Sequence, residues 1–297
     1  MIKLKDILTT DTPLHECIIT HSVLNNKVLL AKNRDRAYDA KISIVRELIG
    51  DSELVYILDD DTDWSEGMNC SGIGIINSAL MVNADEKEKK MIKLKGKVSE
   101  DGLKIRRALS FTELPKVITS IINYYGRDVL DVGVKGHTFV ADPKNSISIE
   151  MTSKHKPSIK KLNRNYNHVR TNHGYKYNDS GYTSGPNKKS SEVRWSIAHK
   201  VLDIAKKPSD ILDGLSGYYP VAMRNNPYRD KDMVKNPTSK DILSTTCQIL
   251  MNLSDLIFTV RMDQDKSEYL GIDDRTPDWY KPKIKIKAEY AKNKKID

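Results

Sequence analysis

The chain has 297 residues, 38% of them hydrophobic and 30% charged, and its formal net charge is +9. This composition suits one large domain or two small ones with a buried core, and it excludes a disordered chain. No window approaches the ~18 uncharged apolar residues of a membrane span. The first residues lack the apolar run of a secretory signal, and three cysteines build no disulfide framework, so we expect a cytoplasmic protein.

The first half of the chain predicts strands, a charged stretch and one helix. Runs of β-forming residues between turn residues indicate the strands, and a threonine followed by an early proline indicates the helix. These elements are a hairpin at 16–35 with its turn at Asn25–Lys27, strands at Leu54–Leu58, Ile73–Asn77 and Leu80–Asn83, a solvated stretch or charged helix at Ala84–Arg107, and a helix from Phe111 to Gly126.

The second half predicts two more hairpins on either side of two helices. Its elements are a hairpin of Thr138–Ala141 and Ser146–Met151, an irregular basic stretch at Lys154–Asn167, a short strand at Val169–His173, a loop at Tyr175–Lys189, a helix from Ser190 or Ser191 to about Lys206, a helix at Pro208–Leu215, and a hairpin of Ser244–Leu250 and Leu256–Met262.

Hairpins early and late in the chain, with helices between them, indicate an α+β fold of antiparallel sheets covered by helices. Seven lysines lie between Tyr280 and Asp297. We interpret residues 279–297 as a solvated basic tail that follows a single domain at 17–278. A weak contact of this tail with a polyanion is a second interpretation.

Cys17 is the first residue that suggests chemistry. A cysteine on a predicted strand is usually a buried small hydrophobe. If cleavage of the Glu16–Cys17 bond freed its α-amino group, that amine, which titrates near pH ~8, would lie beside the thiol and act as its base. Base and nucleophile would then belong to one residue.

Two segments place asparagine side chains where they would contact an anion. Gly67–Ile75 predicts a turn that leads into a strand, in which Asn69 offers an amide and the glycines allow close approach of a ligand. Arg170–Gly174 predicts a strand end that carries Asn172 and His173. Glycine and asparagine also form ordinary turns, so neither segment indicates a function by itself.

Taken in order, these motifs resemble the N-terminal-nucleophile (Ntn) hydrolases of the choloylglycine hydrolase and penicillin V acylase group, with their acyltransferase and ceramidase relatives. The resemblance spans residues 17–263. It rests on Cys17, Lys32–Asp35, Gly67–Ile73, Ser146–Glu150, Asn172–His173, Ser190–Arg194 and Ser244–Ile249.

The resemblance implies a four-layered αββα sandwich and a cysteine amidase or acyltransferase that acts on a linear non-peptide amide without a cofactor or metal. It assigns catalytic roles to five residues: Cys17 as nucleophile, Asp35 as the group that orients the Cys17 amine, Asn69 and Asn172 as the oxyanion hole, and Arg194 as part of the charged network around the thiolate. Secondary candidates are Lys32, Arg34 and His173.

The acyltransferase and ceramidase branch carries a propeptide that is removed by self-cleavage. Residues 1–16 are therefore a candidate propeptide, cut at the Glu16–Cys17 bond. The motifs leave hydrolase and transferase open, because that choice depends on the access of water and of an acceptor amine.

Two other interpretations stand beside this one. His15, Cys17 and His21 share one face of a predicted strand and would offer metal ligands, with His173 as a fourth, although their spacing differs from that of structural zinc sites. The basic tail and the tyrosines between Tyr166 and Tyr182 would suit a nucleic-acid-binding protein on a catalytically inactive Ntn-like fold.

Overall fold

Two mainly antiparallel sheets lie face to face at the centre of the molecule. The computed structural model describes residues 15–38, 40–80, 101–125, 136–152, 155–221, 225–229, 243–262, 272–274, 283–290 and 294–295. The strands are β1 (His15–Leu24), β2 (Lys27–Arg36), β3 (Ile42–Ile49), β4 (Ser52–Asp59), β5 (Trp64–Asn69), β6 (Gly74–Ala79), β7 (Gly136–Ala141), β8 (Ser146–Glu150), β9 (Ser158–Lys161), β10 (His168–Arg170), β11 (Gly217–Tyr218), β12 (Ser244–Asn252), β13 (Ile257–Met262), β14 (Ile272–Asp274), β15 (Lys285–Tyr290) and β16 (Lys294–Lys295).

The strands form one sheet of six and one sheet of eight. The first sheet has the order β10–β1–β2–β12–β13–β15, and the second has the order β14–β3–β4–β5–β6–β7–β8–β9. Only the pairs β13–β15 and β14–β3 are parallel in these two sheets as far as they are described. A separate pair, β11 and β16, is also parallel. The described helices are α1 (Asp101–Leu109), α2 (Leu114–Tyr125), α3 (Gly185–Ile204) and α4 (Pro208–Leu215).

Three apolar clusters hold four layers together. One lies between the sheets and combines residues such as Leu30 of the first sheet with Val55 of the second. A second joins α1 and α2 to the outer face of the eight-stranded sheet, and a third joins α3 and α4 to the outer face of the six-stranded sheet. The predicted four-layered αββα sandwich is therefore confirmed.

The first hairpin pairs the start of β1 with the end of β2 in the six-stranded sheet. Asn25 and Asn26 have φ values of 51° and 63°, which are suited to the tight turn that matches the twist of paired strands. The register pairs Cys17 with Arg34 and Glu16 with Asp35. Because side chains alternate between faces, Ile18 packs under the helices and Ile19 packs between the sheets. Cys17 therefore faces the second sheet, whereas Glu16 faces α3.

Several predicted boundaries differ from the structure. The strand predicted at Leu80–Asn83 is not found at Leu80, which follows β6, and residues 81–83 lie outside the described part. The described end of the charged stretch, 101–107, is helical in α1. The basic stretch 154–167 contains the edge strand β9, whose short polar sequence carries no clear alternation. Among the described residues, no helix combines the length and the apolar character required to cross a membrane.

Two further predictions are wrong at the end of the loop and in the tail. Helix α3 begins at Gly185 after its N-cap Ser184, so Ser190 and Ser191 lie inside the helix rather than capping it. The segment 279–297 is not wholly a solvated tail, because β15 forms the edge of the six-stranded sheet beside β13. A polyanion contact through its lysines stays a prediction.

Candidate active site

Cys17 lies near the beginning of β1, and its side chain is buried beside an arginine. The residue is 1% exposed, and its Sγ is 3.5 Å from Nη1 of Arg36. A guanidinium at this position donates a charge-assisted hydrogen bond to a thiolate. Sequence reasoning missed Arg36, although strand alternation places it on the same face of β2 as Arg34, the partner of Cys17.

The backbone of Cys17 is held on both sides by groups from distant segments. Its N–H donates to Oδ1 of Asn172 over 3.3 Å. Its carbonyl oxygen accepts a hydrogen bond from Oγ of Ser78 over 3.1 Å. Ser78 belongs to β6 of the opposite sheet, so this residue, which the sequence analysis did not single out, connects the two sheets at Cys17.

Asn172 is fixed by α3 and by β6. Its backbone N–H donates to Oγ of Ser191 over 2.9 Å, which explains why Ser191 is buried inside α3 instead of capping it. The side-chain nitrogen of Asn172 donates to the carbonyl oxygen of Ala79 over 2.8 Å. Its Oδ1 accepts both the N–H of Cys17 and Nη2 of Arg194, the latter over 3.1 Å.

Arg194 links Asn172 to two buried carboxylates. Its Nη2 donates to Oε2 of Glu16 over 2.7 Å, and its Nη1 lies 3.9 Å from Oδ2 of Asp35. Arg229 makes the same pair of contacts, at 2.7 Å to Glu16 and 3.7 Å to Asp35. The structure thus brings Asp35 and Arg194 together as predicted, and it adds Glu16 and Arg229 to the network.

Glu16 accepts direct hydrogen bonds from both arginines of this network. In addition to the two arginines, the hydroxyl of Tyr182 donates to its Oε1. Burial alone would raise the pKa of Glu16, but Arg229, Arg194 and Tyr182 outweigh burial and hold that pKa at about 2. Glu16 is therefore an ionised side chain with donors on both carboxylate oxygens, directly before Cys17.

Asp35 differs from Glu16 in its electrostatics. Its Oδ1 accepts a hydrogen bond from Oγ1 of Thr245 over 2.8 Å. Burial raises the pKa of Asp35, although Arg229 and Arg194 act in the opposite direction. Two carboxyl groups that share two arginines thus have their pKa values shifted in opposite directions.

The structure does not bring the polar groups of Asn69 to Cys17. The side-chain nitrogen of Asn69 donates to the carbonyl oxygens of Leu109 and Phe111, each over 2.8 Å, and its Oδ1 accepts the N–H groups of Ser71 and Ile73. Its backbone N–H bonds to the carbonyl of Ile73. Asn69 therefore closes the β5–β6 turn against α1, and its predicted place in the oxyanion hole does not fit this geometry.

The secondary candidates have structural partners. Lys32 is buried between the sheets, where its Nζ contacts Glu66 and lies 3.3 Å from Oδ1 of Asn77. Arg34 is buried on the same face and pairs with Asp59.

His173 lies beside the active-site network. Its Nδ1 is 2.9 Å from Oγ of Ser191, the same oxygen that accepts the N–H of Asn172. His173 thus supports the segment that carries Asn172.

Cys247 and His21 are buried in structural surroundings, and the side chain of His15, the first ligand of the metal interpretation, lies outside the described part. Burial raises the pKa of Cys247 to about 11, which disfavours its thiolate. His21 is buried with its Nε2 2.7 Å from Oγ of Ser146. Across the described ranges, no group of three histidine, cysteine, aspartate or glutamate side chains is arranged to hold a metal ion.

The Glu16 network predicts a specific pH dependence of stability. The pKa of Glu16 is about 2 in the folded chain against 4.5 as its ordinary value, so its contribution is complete above pH 4.5 and is lost as the pH falls toward about 2. In a Cys17→Ala chain, which keeps Glu16 attached, the free energy of unfolding should fall over this interval. Glu16→Gln in the same chain should flatten that fall.

Buried histidines supply an internal reference for this measurement. Burial lowers the pKa of His21 and of His137 to about 3, so both destabilise the fold on acidification in either chain. If the free energy of unfolding falls equally steeply in the two chains between pH 4.5 and about 2, Glu16 does not stabilise the fold through its negative charge.

Comparison with known proteins gives a likeness of fold. No protein-family model and no curated protein matches the sequence. Penicillin V acylase from Agrobacterium tumefaciens is similar in structure, with 11% identity over 93% of this chain and 95% of that one and a TM-score of 0.47. A mutant of the conjugated bile acid hydrolase from Clostridium perfringens is also similar, with 14% identity over 91% and 98% of the two chains and a TM-score of 0.47.

Proposed function

We propose that this protein is an N-terminal-nucleophile cysteine amidase or acyltransferase for linear non-peptide amides, activated by cleavage of its own Glu16–Cys17 bond. The observation that carries the proposal is the arrangement around that bond. Asn172 binds the N–H of Cys17, and Arg194 binds both Asn172 and the side chain of Glu16. One arginine thus fixes the residues on the two sides of a single peptide bond.

Self-cleavage follows from this arrangement by an acyl shift. The Cys17 Sγ attacks the carbonyl carbon of Glu16, the C–N bond breaks, and the nitrogen of Cys17 takes the proton that the thiol gives up. The acyl group of Glu16 is then a thioester on Cys17, and water releases it as a carboxylic acid. The product is a chain whose first residue carries both a thiol and an α-amine.

Turnover of an external amide repeats the same chemistry. The α-amine, with a pKa near ~8, accepts the thiol proton and returns it to the leaving amine. Water or an acceptor amine then resolves the thioester. Asp35 and Arg194 orient the α-amine. Asn172 supplies an oxyanion donor when its side-chain nitrogen exchanges its hydrogen bond with the Ala79 carbonyl for one with the oxyanion, and loss of such a donor typically costs ~10²–10³ in rate. The proposed location of the protein is the cytoplasm, where thiols stay reduced.

The nucleophile is tested by Cys17→Ala. We expect the mass of the wild-type protein to be that of a chain beginning at Cys17, whereas Cys17→Ala should stay uncut and hydrolyse no amide. Cys17→Ala should stay folded and unfold at a denaturant concentration no lower than that of wild type, because alanine removes only one sulfur atom and the uncut chain keeps Glu16 in contact with Arg194 and Arg229. Cys70→Ala, which removes a partly exposed thiol from the β5–β6 turn, is the matched control and should be cut and active. Active full-length wild type would refute self-cleavage, and an active Cys17→Ala would refute the nucleophile.

The role of Glu16 in self-cleavage is tested by Glu16→Gln. Loss of the charge weakens the contacts to Arg194 and Arg229 that hold the scissile bond, and misplacement of reacting atoms costs up to about 10²-fold. We expect cleavage, followed by intact mass over time, to slow about 10- to 100-fold. The cut product has the wild-type sequence, so its activity per cut chain must equal wild type. Unchanged cleavage kinetics would remove Glu16 from the mechanism.

A further inference from the structure

The side chain of Glu16 occupies a buried site built for a carboxylate. Three side chains donate hydrogen bonds to the Glu16 carboxylate: Arg194, Arg229 and Tyr182. We call these three side chains the carboxylate site. Their exposed fractions are 0%, 3% and 5%. Two guanidinium groups share Oε2, each at 2.7 Å, and the tyrosine hydroxyl binds Oε1. Charge-assisted contacts of this kind are the strong ones in a protein interior.

Under the proposed function, Glu16 is also the first acyl group that Cys17 carries. Self-cleavage moves the Glu16 carbonyl carbon from nitrogen to the Cys17 sulfur. In this thioester the side chain of Glu16 is part of the acyl group, so its position marks where the acyl chain of a later substrate would lie. Between the carbonyl carbon and the carboxylate carbon of glutamate stand three carbons, which is the skeleton of a glutaryl group.

Departure of Glu16 takes one carboxylate away from two buried arginines and a buried tyrosine hydroxyl. Asp35 stays within reach of both arginines, at 3.9 Å and 3.7 Å. Removal of one partner from a buried ion pair is destabilising, so the site favours a new anion in the same place. The next acyl group to reach Cys17 supplies this anion if three carbons separate its carboxylate from its carbonyl, as in Glu16.

We propose, on the basis of the function above, that Arg194, Arg229 and Tyr182 bind the terminal carboxylate of a dicarboxylic acyl group in the mature enzyme. The preferred substrate class is the monoamide of a five-carbon dicarboxylic acid. The Cys17 sulfur attacks its amide carbonyl, the C–N bond breaks, and the amine leaves with the proton returned by the α-amine. Water then cleaves the thioester and releases the free dicarboxylate.

The first experiment compares two synthetic anilides on the cut wild-type enzyme. Glutaryl 4-nitroanilide carries the carboxylate, and pentanoyl 4-nitroanilide has the same five carbons without it. We expect kcat/KM to be about 10- to 100-fold higher for the glutaryl compound, the range given by hydrogen bonds to a charged group. Free glutarate should inhibit hydrolysis of the pentanoyl compound, and pentanoate should not.

The second experiment changes one donor of the carboxylate site. Tyr182→Phe removes the hydroxyl, and we expect the glutaryl-to-pentanoyl ratio of kcat/KM to fall about tenfold. Tyr166→Phe, at a tyrosine that is 65% exposed, is the matched control and should leave this ratio unchanged. If Tyr182→Phe is not cut, inhibition of the wild type by glutarate decides the question.

The outcomes separate this inference from the proposed function. Equal or faster turnover of the pentanoyl compound, together with no inhibition by glutarate, overturns the carboxylate site and leaves the amidase standing. Absence of turnover with either anilide, in a protein that is also not cut at Cys17, overturns both.

Discussion

One buried arginine joins the charged and polar groups of the candidate site. Arg194 is fully buried, and it contacts the Glu16 carboxylate, the Asp35 carboxylate and the side-chain oxygen of Asn172. A guanidinium suits this position because its planar fork donates several hydrogen bonds in fixed directions and it stays charged when buried. Without Arg194, Glu16 and Asp35 would lose one of the two arginines that they share in the described part, and Oδ1 of Asn172 would lose one of its two donors.

The sandwich divides this machinery between two faces of one sheet. Glu16 and Asp35 point toward α3, where Arg194 meets them, whereas Cys17 and Arg36 of β2 point toward the second sheet. Successive side chains along β1 and β2 point to opposite faces of the sheet, so Glu16 and Cys17 must face opposite sides. The peptide bond between Glu16 and Cys17 therefore lies at the plane of the sheet, with a charged network on one side of it and the thiol on the other.

Local signals in the sequence were sufficient for much of the fold. The turn residues Asn25 and Asn26, the proline at the start of α4 and the turn residues that begin at Asn252 determine their elements by short-range chemistry, so these elements were predicted with small errors. β9 was missed because its short, lysine-rich sequence carries little apolar pattern. β15 was missed because its lysines suggested a solvated tail, although Ile284 and Ile286 alternate with them and pack on the core. Their pairing depends on neighbours that the local sequence does not reveal.

The candidate site was only partly predictable for a related reason. Cys17, Asp35, Asn172 and Arg194 follow from motif order, but the contacts of Glu16 with Tyr182 and Arg229 join residues 166 and 213 positions apart. Which way a side chain points from its strand also decides whether it reaches the site. In sequence, Asn69 and its neighbouring glycines fit a ligand-binding turn, yet the Asn69 side chain faces α1. Composition and spacing do not distinguish these two outcomes, whereas sheet register does.

The central claim is that the mature protein carries sulfur and amine on one terminal residue, Cys17. Condensation with a cyanobenzothiazole dye tests it most directly, because that reagent forms a stable ring only with a cysteine whose amine is free. The account predicts a single labelled residue, Cys17, found by peptide mapping, and loss of amide turnover in proportion to labelling. Turnover by a protein in which Cys17 takes no label would contradict it.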